Sequence, residues 1–257
     1  MSEKVQINCK TPQGEPYRIV LKVRDLDPFF AASEAPEMIS RNGEELVCKL
    51  LAANRGNIMQ LERRNLAGQC TDSPDGLVGR IKFNEDGQVI EEIRFRDGKR
   101  NDAPDGDPAF KGYNATGQLL LVERYQDGKY EDGRKGEPAS VEYYPDGTLR
   151  NVERFRKGRY HDGPNGEPAL SVYGPRGTLE YEEHFQDGLL HDGANGEPAS
   201  CQYDENGRMV LAGRYSEGEL IKELSAQEIA AYLAYLEQKN PPKNPPPPPG
   251  PRGPSFP

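Results

Sequence analysis

Residues 137–166 read EPASVEYYPDGTLRNVERFRKGRYHDGPNG, and residues 167–196 read EPALSVYGPRGTLEYEEHFQDGLLHDGANG. The second stretch restates the first, thirty residues on and without an insertion. Working outward, Gly98, Gly128, Gly158, Gly188 and Gly218 keep this period. So do Gly106, Gly136, Gly166 and Gly196, the Pro-Ala pairs that begin at Pro108, Pro138, Pro168 and Pro198, and the tyrosines Tyr113, Tyr143, Tyr173 and Tyr203. An aromatic column (Phe95, Tyr125, Phe155, Phe185, Tyr215) and an acidic column (Asp102, Asp132, Asp162, Asp192) share it. Strong repeats cover 95–214, a weaker one covers 65–94 with Asn65 at the aromatic position, and a partial unit follows 215. Self-similarity at a fixed period marks a repeat array.

Each unit reads as two strands and two turns. Pro145 sets φ near −65° and Gly147 supplies the left-handed residue that closes a three-residue hairpin loop, with Gly117, Gly177 and Gly207 as its equivalents. Ala139, Val141 and Tyr143 alternate with Ser140, Glu142 and Tyr144, and after the turn Leu149 and Phe155 have the same parity. One face should therefore stack Ala, Tyr, Leu and an aromatic, in columns that no single repeat could bury alone. The predicted fold is mainly β: an elongated antiparallel β-hairpin repeat array with a C-terminal capping helix. Glu123, Glu153 and Glu183 share the parity of the aromatic column, whereas Arg94, Arg124, Arg154, His184 and Arg214 point the other way. That end of the face is either open to water or reversed by a bulge.

The flanks suit caps. From Ser225 the segment SAQEIAAYLAYLEQKN opens with a capping box, Ser225 and Glu228, and carries Ile229, Tyr232, Leu233 and Leu236 on one stripe. It predicts a helix within 221–240 that closes the C-terminal edge of the 61–220 array. Residues 1–60 are not repetitive: VQINC and YRIVLKV predict strands around the turn TPQGEP, followed by a helix over GEELVCKLLAAN, as a cap or a small α+β domain. Ten of the 23 prolines lie in 241–257, a Pro-rich tail expected to be polyproline II or disordered.

Composition narrows the function classes. The apolar share, roughly 40%, lies below the ordinary range of about 45–50%, so a thick core is not expected. The net charge is −9, which argues against nucleic acid and anionic lipid and in favour of a protein partner, one of basic character fitting best. Cys9, Cys48, Cys70 and Cys201 form no CxxC pair and read as reduced thiols. The polar N-terminus MSEKVQINCK offers no secretory signal. A cytoplasmic chain is expected, and export by a specialised route that leaves no such mark is compatible with it.

With YYPDGTLRNVERFRKGRYHDGPNGEPA in view, the array resembles the MORN-repeat-variant proteins of bacteria, some of them antitoxin-like, over about 65–218. The matching positions are Tyr143, Gly147, Leu149, Phe155 and Gly158 with their equivalents thirty residues apart. The resemblance implies a binding surface rather than a catalyst: a scaffold, an antitoxin or immunity protein that masks a toxin, or a secreted effector that engages a host protein. The longer unit and the absence of Trp set this chain apart from MORN proteins that bind lipid, and membrane binding is not expected.

Residue chemistry points the same way. His161 and His191 occupy one repeat position, but equivalent residues two strands apart stand about 9.5 Å from each other, too far for a shared metal without convergence. The DGxxGEP loops, such as Asp162 to Pro168, concentrate oxygen ligands without the EF-hand order, and Asp there reads as an Asx-turn residue. Glu123, Glu153 and Glu183 read as a solvated ladder rather than a catalytic pair. No nucleophile elbow or phosphate loop is present, so neither an enzyme nor a cofactor or metal is expected. What remains is surface. Asp132, Asp162 and Asp192 with Glu137, Glu167 and Glu197 recur along the loop edge, and over 95–214 there are 16 basic and 22 acidic residues. They are the candidate partner-binding residues, an acidic rim for a basic protein.

Overall fold

In the computed structural model the described residues are 3–11, 13–23, 37–40, 47–52, 58–65, 69–72 and 78–239. Each thirty-residue unit folds as two hairpins. The longer pairs, for example, Ser140–Tyr143 with Leu149–Glu153, and the shorter pairs Phe155–Arg156 with Arg159–Tyr160. Successive long hairpins join edge to edge, so that Leu149–Glu153 pairs in turn with Leu170–Tyr173. The result is one 14-stranded antiparallel sheet, roughly 60 Å across its strands at about 4.8 Å per step. This is the elongated β-hairpin array the periodicity predicts.

Two turn types build the unit. In the longer hairpin, Gly147 (φ 88°) donates its N–H to the Tyr144 carbonyl and Tyr144 N–H bonds Thr148 O, which closes the expected three-residue loop. The shorter hairpin turns through Lys157 (φ 54°) and Gly158 (φ 79°), a two-residue turn with both central φ values positive.

A bulge settles the parity. Val141 faces Val152 and Tyr143 faces Leu149, so Arg150 is an extra residue and the alternation reverses after it. Directly opposed residues share a face, and one face, the tyrosine face, therefore carries Ala139, Val141, Tyr143, Leu149 and Val152. The other carries Ser140, Glu142, Asn151 and Glu153, followed by Phe155. The single apolar face expected from parity is thus corrected: the aromatic column lies across the sheet from Tyr143 and Leu149. The short hairpins fold over this second face, where Tyr125, Tyr130, Phe155, Tyr160 and Phe185 stack at centroid spacings of 4.4, 4.9, 4.4 and 5.1 Å. Each stacked pair adds about 0.5–1.5 kcal/mol beyond its buried area.

The flanks differ from expectation in two respects. The segment expected to be helical within 43–54 forms the strand Val47–Ala52, paired with Glu37–Ser40 and Ile58–Arg64 at the far end of the sheet. Its apolar run fits either state, and the unpaired edge of Ile58–Arg64 selects the strand. The first two strands, Glu3–Lys10 and Pro16–Val23, form the expected hairpin as a separate two-stranded sheet, and Gln13 Nε2 reaches Gly117 O at 3.4 Å. Helix α1, Ala226–Lys239, begins at the capping box: Ser225 N–H donates to Glu228 Oε2 (3.0 Å) and Glu228 N–H to Ser225 Oγ (3.3 Å). It does not close the edge. Ile229 packs instead on Cys201, Met209 and Ala212 of the tyrosine face, with Tyr203, Leu224, Tyr232 and Leu233 around them. The edge strand Glu219–Glu223 stays exposed, guarded by Glu219, Lys222 and Glu223. The Pro-rich tail lies outside the described residues.

Candidate functional site

The acidic loop edge was the first candidate, and its two columns do different things. Asp132 Oδ1 accepts N–H bonds from Ala139 and Phe155, both 2.9 Å, while Oδ2 bonds Arg154 Nη1 at 3.1 Å. Arg154 also donates to Gly136 O. The same clamp recurs. Asp162 holds Ala169 N–H, Phe185 N–H and the His184 ring, and Asp192 holds Ala199 N–H, Tyr215 N–H and Arg214. Each aspartate therefore ties its own loop to the following unit, instead of making the Asx-turn expected of it. Burial pushes the Asp132 carboxyl above its ordinary pKa, and the bonds from Phe155, Arg154 and Ala139 pull back without cancelling this. Asp132, Asp162 and Asp192 are joints of the array and leave no carboxylate oxygen free for a partner.

Glu137, Glu167 and Glu197 remain at the edge. Each Oε2 accepts an N–H from its own loop tip, from Lys135, Asn165 and Asn195 at 2.9 Å. The Glu137 carboxyl is held below the usual range by its own backbone N–H and that of Lys135, and the Glu167 carboxyl by the Asn165 side chain and the N–H groups of Glu167 and Asn165. A groove of about 370 Å³ runs between neighbouring loops here, walled by Asp102, Asp132 and Glu137 but also by Arg96, Arg124, Arg134 and Lys135. The edge is consequently a mixed surface in this unit, not a continuous acidic strip.

The remaining candidates are also placed. Glu123 accepts from the hydroxyls of Tyr125 and Tyr130 and from Arg100, Glu153 accepts from Tyr160, and Glu183 from Tyr181. Glu123 and Glu153 cap the aromatic stack and Glu183 holds Tyr181, so the ladder is not merely solvated. Their charge and the burial of the rings, burial being the larger effect, push the Tyr130 and Tyr160 hydroxyls up. His161 Nδ1 accepts the Asp187 N–H from the short hairpin of the following unit, and His191 Nδ1 lies 3.1 Å from the adjacent Asp192 O. Among the described residues no three His, Cys, Asp or Glu side chains cluster as metal ligands would. Nor is any described helix long and apolar enough to cross a membrane.

The surface that sequence parity obscured is the middle of the tyrosine face. At one end its columns are buried as Ile81, Phe83 and Val89; at the other α1 covers Cys201, Met209 and Ala212. Between them Tyr113, Leu119, Val122, Val141, Tyr143, Leu149, Val152, Tyr173 and Leu179 are only half-buried. Most of the helix's contacts are with the strand Met209–Ser216, and Tyr232 comes near enough to Glu182 of the preceding unit to feel its charge. The Tyr113 hydroxyl is held by Glu92 and that of Tyr203 by Glu182. Those of Tyr143 and Tyr173 have no hydrogen-bond partner among the described residues. The bulge at Arg150 moves Val152 onto this face, which is the reversal that the parity of Glu123, Glu153 and Glu183 left as one of two alternatives.

Fold and surface together define an open β-hairpin repeat array with one covered and one partly uncovered face. The sequence matches no known protein-family model and no curated protein.

Proposed function

We propose that the chain is a non-enzymatic β-repeat scaffold that binds another protein on the open middle of its tyrosine face, rather than on the acidic loop edge. The observation that carries this is the run of half-buried Tyr and Leu columns, flanked by Val122, Val141 and Val152 and interrupted by Lys111, Ser171 and Glu182, between two buried ends. An exposed apolar patch rimmed by polar residues is the mark of an interaction surface, and tyrosines with unengaged hydroxyls supply both area and hydrogen bonds at an interface. The antitoxin-like resemblance fits the same reading, a toxin then being the protein masked.

The test compares two multiple variants of the tagged chain in capture of the partner from source cells. Leu149→Lys with Leu179→Lys should weaken binding about tenfold or more, as loss of a central apolar anchor does. Glu137→Lys with Glu167→Lys and Glu197→Lys should leave equilibrium affinity nearly unchanged. The opposite pattern, in folded variants of unchanged melting temperature, would move the interface to the loop edge and overturn the reading.

A further inference from the structure

We propose that the open seat formed by Val141, Tyr143, Leu149 and Val152 takes an amphipathic α-helix of the protein partner, laid on the sheet as α1 is laid on the last unit, with a basic residue on the flank toward Glu182. The inference rests on the reading of the tyrosine face as a protein-binding surface, and names the element that the partner presents.

The fold holds its own precedent. Helix α1 packs Ile229, Tyr232 and Leu233 against Cys201, Tyr203, Met209 and Ala212. Sixty residues earlier the same four positions are Val141, Tyr143, Leu149 and Val152. They pair alike: Val141 faces Val152 and Tyr143 faces Leu149, as Cys201 faces Ala212 and Tyr203 faces Met209. In the unit between, Ser171 and Glu182 stand where Cys201 and Ala212 do, and one unit before Val141 the position is Lys111. Of the units from Ile81 to Glu182, the one at Val141 alone restates the seat without a polar or charged member other than its tyrosine. Under α1 Cys201, Met209 and Ala212 are buried, whereas all four residues of the open seat remain half-buried.

There is room for a second helix. Four strand steps of about 4.8 Å place the two seats about 19 Å apart, and packed helices need about 8–10 Å between their axes. A helix over Val141 therefore lies in the same layer as α1 without touching it.

The backbone selects a helix over an extended segment. The N–H and C=O groups of a sheet point along its ladders, and the strands at the seat are already paired on both sides. An extended chain lying on the face would bury its own backbone groups unpaired, whereas a helix satisfies them internally. Apolar residues at i, i+3, i+4 and i+7 anchor a helix on such a surface, and α1 shows that pattern in Ile229, Tyr232, Leu233 and Leu236.

Charge sets the flank. Glu182 stands two strands from Val152, on the side of α1. Its Oε1 accepts from the Tyr203 hydroxyl, and its Oε2 has no hydrogen-bond partner among the described residues. On the other side Lys111 is already paired with Asp107. The charge left to answer is thus negative, and a Lys or Arg of the helix answers it.

The probe is a synthetic helix of residues 225–239, crosslinked through the outward positions 227 and 231, with Glu228→Lys and Ala230→Lys placing a cation on each flank of its apolar stripe. It is titrated into the full chain carrying ring-labelled tyrosines, whose NMR signals are assigned by single Tyr→Phe changes. The Tyr143 ring should shift saturably, while Tyr203 beneath α1 and Tyr125 and Tyr160 on the opposite face keep their signals. Leu149→Lys, in a chain of unchanged melting temperature, should weaken binding about tenfold or more, and Glu182→Gln about two- to fivefold. The same peptide without the crosslink and with Ala234→Pro, which breaks the helix, should bind at least about tenfold more weakly. A Tyr143 signal that does not move overturns the proposal. Equal binding by the proline peptide does the same, as does a shift of Tyr203 in place of Tyr143, which means exchange with α1. Binding indifferent to Glu182→Gln removes the basic flank. The functional reading fails separately: partner binding that survives Leu149→Lys with Leu179→Lys refutes the face itself, whereas a partner lost in that variant beside a silent peptide refutes only the helix.

Discussion

Replacing Asp132 by Ala separates a structural joint from a surface charge. The change removes the acceptor of two backbone donors, Ala139 N–H and Phe155 N–H, and Ala139 is fully buried. A buried donor left without a partner costs about 1–3 kcal/mol. It also strips Arg154, whose side chain is 10% exposed, of its counter-ion, leaving it the Gly136 carbonyl. Breaking a buried pair from one side costs about 3–5 kcal/mol. These terms overlap, because relaxation and entering water serve all three groups, and about 3–5 kcal/mol in total is expected. Asp132→Asn keeps an oxygen for the two N–H groups and loses only the charge, so about 1–2 kcal/mol is expected. At Asp192 the partner Arg214 is 33% exposed, solvent screens the ionic part, and Asp192→Ala should cost less than Asp132→Ala.

The assay is urea unfolding together with amide hydrogen exchange. In a repeat array stability is a sum of unit and interface terms, so a lost joint can open locally before the whole chain unfolds. Exchange at Phe155 and Ala139 should accelerate together, by the factor that corresponds to the measured loss. Substitutions of exposed surface charges stay within about ±0.5 kcal/mol. An Asp132→Ala value in that range, with unchanged exchange at both amides, would refute the joint and restore the rim.

Two further outcomes follow from the same geometry. His184 replaces the arginine of the clamp, is 1% exposed and lies 2.7 Å from Asp162. Burial lowers its pKa, but the Asp162 carboxylate, with Glu182 and Glu197 behind it, leaves the net value above the ordinary 6.5. The stabilisation is therefore full below pH 6.5 and lost as pH rises through the folded-state value. Melting temperature should fall over that window in the wild type and not in His184→Arg; parallel profiles would discard the clamp. At the hairpin loops, Gly147→Val and Gly177→Val force a β-branched residue to φ 88° and 76°. Each should cost at least about 1–2 kcal/mol by thermal melting, and an unchanged melt would remove the proposed turn.

The sequence disclosed whatever recurs within a single unit. Period, turn glycines and capping box each depend on neighbours a few residues away, and hairpin and helix follow them. It concealed what depends on strand register, within a unit or beyond it. The bulge turns on Arg150, which differs in no visible way from the residues beside it, yet it sends Phe155 to one face and Tyr143 to the other. The strand Val47–Ala52 was likewise selected by a sheet edge supplied from elsewhere.

The clamp lies between these cases, because its signal was present in the sequence. Asp72, Asp102, Asp132, Asp162 and Asp192 each precede a basic residue by 22: Arg94, Arg124, Arg154, His184 and Arg214. Two columns of opposite charge at a constant offset imply a pair satisfied inside the array, since surface charges in a stacked repeat have no need of a fixed partner. Read singly, the aspartates look like a rim; read with their arginines, they are removed from it. The same pairing then leaves the tyrosine face, whose charged residues include Glu92, Lys111 and Glu182, as the surface that a partner could cover.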